Sequence, residues 1–194
     1  MSSNLLETIQ QNLGYPALQK IDPNTQHVVE NDKTPDEHKF SQAAIPAVLT
    51  ALYKYVQSDA GAEDFLRGDN SSNWVSKIFD DNKKEAIQKI SAYAKQSNHD
   101  PVAKMNAIAN EAVKVVKENI SADAGIKEVK LFFGNQANNI LLYLPAELNM
   151  GELLHDTTLD DKTNKMEGPI SSLMQNIGSA FSKPVSEEEI KKSL

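Results

Sequence analysis

The chain has 194 residues, 40% of them hydrophobic and 24% charged, with a net charge of -7 and no cysteine. This composition fits one globular domain and excludes disulfides, thiolate metal sites and a cysteine nucleophile. Nineteen lysines stand beside a single arginine, Arg67. With a negative overall charge, that balance argues against nucleic acid, which calls for phosphate-facing cations and arginine forks, and against docking on an anionic membrane.

The start, Met1-Ser2-Ser3-Asn4-Leu5-Leu6-Glu7, has neither a basic region nor a long apolar run. No stretch approaches the roughly 18 apolar residues of a membrane helix; Ile140-Leu141-Leu142-Tyr143-Leu144 reads as a core segment. The expectation is a soluble, cytoplasmic protein.

Along the chain, Leu5, Leu6, Ile9 and Leu13 predict an amino-terminal helix stopped by Gly14. Residues 22–35 read as a loop, and His27-Val28-Val29-Glu30 is a strand-like run without a partner. Thr34-Pro35-Asp36-Glu37 gives a cap, a proline at the first helical position and a glutamate at the third. Phe40, Ala44, Val48, Leu52 and Val56 form the stripe of the helix that follows. Pro46 falls inside it, and the stripe continues in phase across the proline, so a kink is preferred to two separate helices.

Asn82 with Glu85 has cap spacing, followed by Ala86, Ile87, Ile90 and Ala94. Asp100-Pro101 is a cap before Met105, Ile108, Ala112, Val116 and Ile120. Ile126, Val129, Phe133, Ala137, Ile140 and Leu144 mark another helix. Pro145 and Pro169 suit first helical positions, with Ile170, Met174, Ile177 and Phe181 after the second. Residues 155–168 read as a loop, and Ser186-Glu187-Glu188-Glu189 is a further capping box. The fold class is all-α: one helical domain over residues 1–183, about seven to nine helices in all, with residues 184–194 a loosely attached terminal helix. Asp59-Ala60-Gly61 recurs as Asp123-Ala124-Gly125, and at the same offset Leu49, Leu52 and Val56 fall on Val113, Val116 and Ile120. A duplicated helical hairpin stays open; a solenoid needs more copies.

The chemical motifs are sparse. His27, His38, His99 and His155 form no close pair. The densest set of potential ligands is His155-Asp156 with Asp160, Asp161 and Asn164, but it lacks the glycine and closing glutamate of a calcium loop. A solvated acidic turn is the preferred reading, and no metal or cofactor is implied. Asp80-Asp81-Asn82 and Asp69-Asn70 read as turn and cap chemistry. There is no G-x-S-x-G elbow and no phosphate-cradling glycine loop. Arg67-Gly68-Asp69 and the Asn70-Ser71-Ser72 and Asn119-Ile120-Ser121 triplets read as chance matches, since no export signal is expected. Trp74, the only tryptophan, reads as a core anchor on a short helix. Phe132-Phe133 reads as core, with Gly134 ending the helix or letting it pack closely.

Ala43-Ala44-Ile45-Pro46-Ala47-Val48-Leu49, followed by Asp59-Ala60-Gly61-Ala62, resembles the uncharacterised bacterial YidB-like family. Members of that family carry an Ala-Ile/Leu-Pro-x-Leu-Leu helix and then an acidic residue before Gly-Ala. The likeness spans residues 40–66. The paired glycines of that helix are absent here, and Ser58-Asp59-Ala60 stands where Thr-Pro-Glu is usual. The resemblance implies a bacterial, helical, soluble protein and assigns no activity, cofactor or functional residue.

Three readings of function follow. The first is a non-enzymatic helical protein that binds another protein or itself, supported by the amphipathic helices and by 17 asparagines and 10 glutamines. The second is a small-ligand carrier with a pocket between helices lined by Trp74, Phe132, Phe133 and Tyr143. The third is a metal-dependent hydrolase using the 155–164 cluster. The first is preferred.

Overall fold

A computed structural model describes residues 4–21, 35–69, 72–95 and 100–156. Among them the fold is all-α. It comprises α1 (Leu5–Asn12), α2 (Asp36–Tyr55), α3 (Asp59–Arg67), α4 (Trp74–Phe79), α5 (Lys83–Ala94), α6 (Pro101–Asn119), α7 (Ile126–Leu141) and the single turn α8 (Met150–Leu153). Two 3-10 turns, Asp80–Asn82 and Ala146–Leu148, complete it. None of these helices is long and apolar enough to cross a membrane. The strand-like run at 27–30 and the helices expected after Pro169 and Ser186 lie outside the described residues.

α2 is the axis of the fold and packs against α1, α4, α5, α6 and α7. Its stripe pattern is too narrow a description. Every residue from 39 to 52 is buried, so the helix is covered on all sides. Small residues permit this: Ala43, Ala44, Ala47 and Ala51 let neighbouring helices approach closely. Polar residues on α2 are satisfied locally. Ser41 Oγ donates to the Glu37 carbonyl at 3.0 Å, and Thr50 Oγ1 to the Pro46 carbonyl at 2.7 Å. Pro46 sits inside one continuous helix, so it does not begin a second. The helix starts one residue later than expected, with Pro35 at the cap position; Thr34 is outside the described residues.

The repeated Asp-Ala-Gly lies at the start of the second helix in two successive pairs, α2–α3 and α6–α7. The register differs. Gly61 is the third residue of α3, whereas Gly125 is the cap of α7. Gly61 is required where it stands, because a methyl group there would overlap the Tyr55 carbonyl oxygen. α3 packs on α7 through Phe65 and Phe133, whose ring centroids are 5.4 Å apart and perpendicular.

Two sequence readings need correction. Gly134 neither ends α7 nor packs closely; it sits mid-helix with open space where a Cβ would stand. Asn82 precedes α5 but its side chain does not cap it. By contrast, Asp100 caps α6 as its spacing predicts, its Oδ1 accepting from the Ala103 N–H at 3.1 Å.

The amides are tertiary fasteners. Gln42, buried on α2, accepts from the Gln19 N–H at 2.8 Å and donates to the Gln19 and Tyr143 carbonyls at 3.0 Å each. Gln136 accepts from the Leu5 N–H at 3.1 Å, and Asn106 from the Val75 N–H at 3.0 Å. Each joins elements that the apolar pattern alone does not tie.

Candidate functional site

The C-terminal end of α2, α4, the Asp80–Asn82 turn and the segment after α8 converge on a cleft of about 350 Å3. Lys54, Tyr55, Lys77, Asp80, Asp81, Asn82 and His155 line it, and Ile78, Phe79, Leu153 and Leu154 supply apolar surface.

Backbone geometry forms both walls. α4 stops at Phe79, where Asp80 takes φ 44° and ψ -122° and leads the chain through the Asp80–Asn82 turn into α5. α8 closes differently, with His155 one residue past its cap at φ 52°. The His155 N–H reaches the Glu152 carbonyl at 3.2 Å and the Asp156 N–H reaches the Gly151 carbonyl at 2.7 Å, the paired bonds of a Schellman closure. Glycine is the usual occupant of that left-handed place; a histidine there costs about 1 kcal/mol. Such positions concentrate at functional sites.

Charge in the cleft is held in pairs. Lys77 Nζ donates to both Asp64 oxygens at 2.8 and 2.9 Å, Tyr55 OH donates to Asp64 at 2.9 Å, and Lys77 stands 4.8 Å over the Trp74 ring. Lys54 pairs with Asp156 at 2.7 Å. Burial and the Asp64 carboxylate push the Tyr55 phenol up to about 12. Burial alone would raise Asp64, but hydrogen bonds from Lys77 and Tyr55, with the charges of Lys77 and Arg67, outweigh it and hold the carboxyl below its ordinary value. Burial, followed by the charge of Asp156, also raises Tyr53.

On the opposite wall Asn82 Nδ2 donates to the Leu153 carbonyl at 2.7 Å and lies 3.2 Å from His155 Nε2. The side chain with cap spacing in the sequence instead fastens the end of α8 to the start of α5.

Of the sequence-selected ligand set, His155 and Asp156 come to this cleft, one at Asn82 and the other at Lys54. Asp160, Asp161 and Asn164 are outside the described residues. Among the described residues no group of three His, Asp or Glu side chains is placed to hold a metal ion. The four proposed pocket residues stand elsewhere. Trp74 and Phe133 are fully buried and joined through Phe65, and Phe132 leans on Phe133 at 6.1 Å. Tyr143 is buried outside this aromatic row. Sequence reasoning did not select Tyr55, Asp64 or Lys77, which no local motif joins; only the fold brings them together.

Comparison with protein-family models, curated proteins and solved structures finds no match to this chain.

Proposed function

We propose that the chain is a non-enzymatic helical protein that binds another protein or a second copy of itself, with the cleft as its docking face. The paired charges in and beside the cleft carry this reading: Lys54 is held by Asp156, and Lys77 and Tyr55 by Asp64. Tyr55 is raised to about 12 and Asp64 is lowered, so both move away from neutrality. General acid–base work asks for groups poised near the operating pH. A phenol that stays protonated and a carboxylate that stays charged form instead a fixed pattern beside apolar Ile78, Phe79, Leu153 and Leu154, which suits recognition. The net charge of -7 favours a protein partner over nucleic acid or an anionic membrane.

A cleft of about 350 Å3 is also within the size range of small-ligand sites, and a ligand carrier is the second reading. The likeness of residues 40–66 to YidB-like proteins supports a bacterial source, and a cytoplasmic location is part of the same proposal. In that reading the α2–α3 pair is the part shared with the family.

The test is cross-linking capture in cells with the wild type and with an Asp80→Lys/Asp81→Lys variant that melts at the same temperature. The proposal expects a defined partner, or a dimer, that the wild type holds and the variant loses. Identical capture by both would refute the cleft as the docking face.

A further inference from the structure

We infer that the Asp80–Asn82 turn and the first residues of α5 form a self-complementary patch, which pairs with the same patch of a second copy of this chain about a two-fold axis. The inference rests on the cleft being a docking face and names its occupant. It starts from the charges that the fold leaves over. At this end of the molecule Lys54 is matched by Asp156, Lys77 by Asp64 and Lys89 by Glu85. Asp80, Asp81 and Lys84 are exposed, and among the described residues none of the three has an ion-pair partner. Lys83 Nζ donates to a neutral group, the Ser76 hydroxyl, at 2.8 Å.

Residues 80–84 thus carry two carboxylates and two ammonium groups that the chain does not neutralise by itself. Asp80 and Asp81 precede Lys84 by four and three residues at the start of a helix, which puts opposite charges side by side on one face. Such a patch is its own complement. A two-fold axis through it sets the aspartates of each copy against the lysines of the other, and every contact is made twice. A purely basic or purely acidic partner satisfies only half of it. The whole chain carries -7, which sets two copies against each other. The patch itself sums to zero, so copies can meet there without that repulsion. The same aspartates line the cleft, whose Ile78, Phe79, Leu153 and Leu154 add apolar surface to the contact.

Sedimentation equilibrium of the full chain at low and high salt tests it, with Asp81→Lys, Lys84→Glu and the double swap Asp81→Lys/Lys84→Glu. The wild type should dimerise, with a dissociation constant that rises about ten-fold as salt screens the pairs. Each single substitution sets like charges against each other on both sides of the axis and should weaken the dimer about ten-fold. The double swap restores a balanced patch and should return to within about three-fold of the wild type. Its recovery also shows that neither substitution unfolds the chain. A wild type that stays monomeric to about 1 mM, a dimer indifferent to both single substitutions, or a double swap as weak as the single ones would each overturn the inference. A monomeric wild type that still captures a different protein, and loses it in Asp80→Lys/Asp81→Lys, would overturn this inference alone and leave the docking face standing.

Discussion

Two helix ends in this molecule close by the same backbone device with different residues. α1 ends at Gly14, φ 69°, where the Gly14 N–H meets the Gln11 carbonyl at 3.1 Å and the Tyr15 N–H the Gln10 carbonyl at 2.9 Å. α8 ends at His155, φ 52°, with the equivalent pair of bonds. At the first end the residue is there for its backbone freedom alone. At the second a β-carbon is tolerated at a cost, and the ring it carries meets Asn82 at 3.2 Å. The difference separates a scaffold terminus, built for stability, from a terminus shaped by what its side chain holds.

The α1 end should prove the more costly to disturb. Ile9 is fully buried, and Ile9→Ala should cost about 3 kcal/mol in urea unfolding. Gly14→Ala should cost about 1–2 kcal/mol, since alanine does not enter the left-handed region freely. At the α8 end the sign reverses: His155→Gly relieves the same strain and, after the lost Asn82 contact, should leave global stability unchanged or raised by up to about 1 kcal/mol. A His155→Gly loss as large as the Gly14→Ala loss would erase the distinction.

Gly134→Ala sharpens the comparison from the other side. It places a methyl group in open space at a helical φ and should stabilise by about 0.5–1 kcal/mol. It separates a glycine with no backbone duty from Gly14. The smallest effect concerns the cleft floor at high pH. An unfolded tyrosine ionises near 10, whereas Tyr55 keeps its proton to about 12. Between those values the unfolded chain sheds a proton that the native one retains. Its contribution to stability is therefore fully present below pH 10 and is lost as the pH rises toward about 12. The melting temperature should fall over that interval by less in Tyr55→Phe than in the wild type.

Periodicity and local chemistry showed α1, α6 and α7 in the sequence, and the Gly14 stop and the Asp100 cap could be read from single residues. Such signals act within one or two turns, which is why they survive without the fold. α2 was legible as a helix but not as an axis, because a stripe of five apolar positions does not reveal that Ser41, Gln42 and Thr50 are also buried. The cleft was hardly legible. Tyr55, Asp64 and Lys77 meet through tertiary packing. Asn82 carries a cap signature whose oxygen does not cap and whose nitrogen binds a carbonyl in another element. The numerous amides pointed outward to binding when read as composition; the structure commits Gln42, Gln136 and Asn106 to internal backbone partners.

The central claim is that His155 occupies a strained helix terminus because its Nε2 accepts from Asn82 Nδ2, whose orientation the Leu153 carbonyl fixes. Nitrogen-15 spectroscopy of the imidazole at pH 7.5 tests it most directly, since the two ring nitrogens resonate apart when only one is protonated. The account predicts the Nδ1–H tautomer, with Nε2 unprotonated and its resonance altered in Asn82→Ala. A ring protonated on Nε2, or one that is blind to Asn82→Ala, would contradict it.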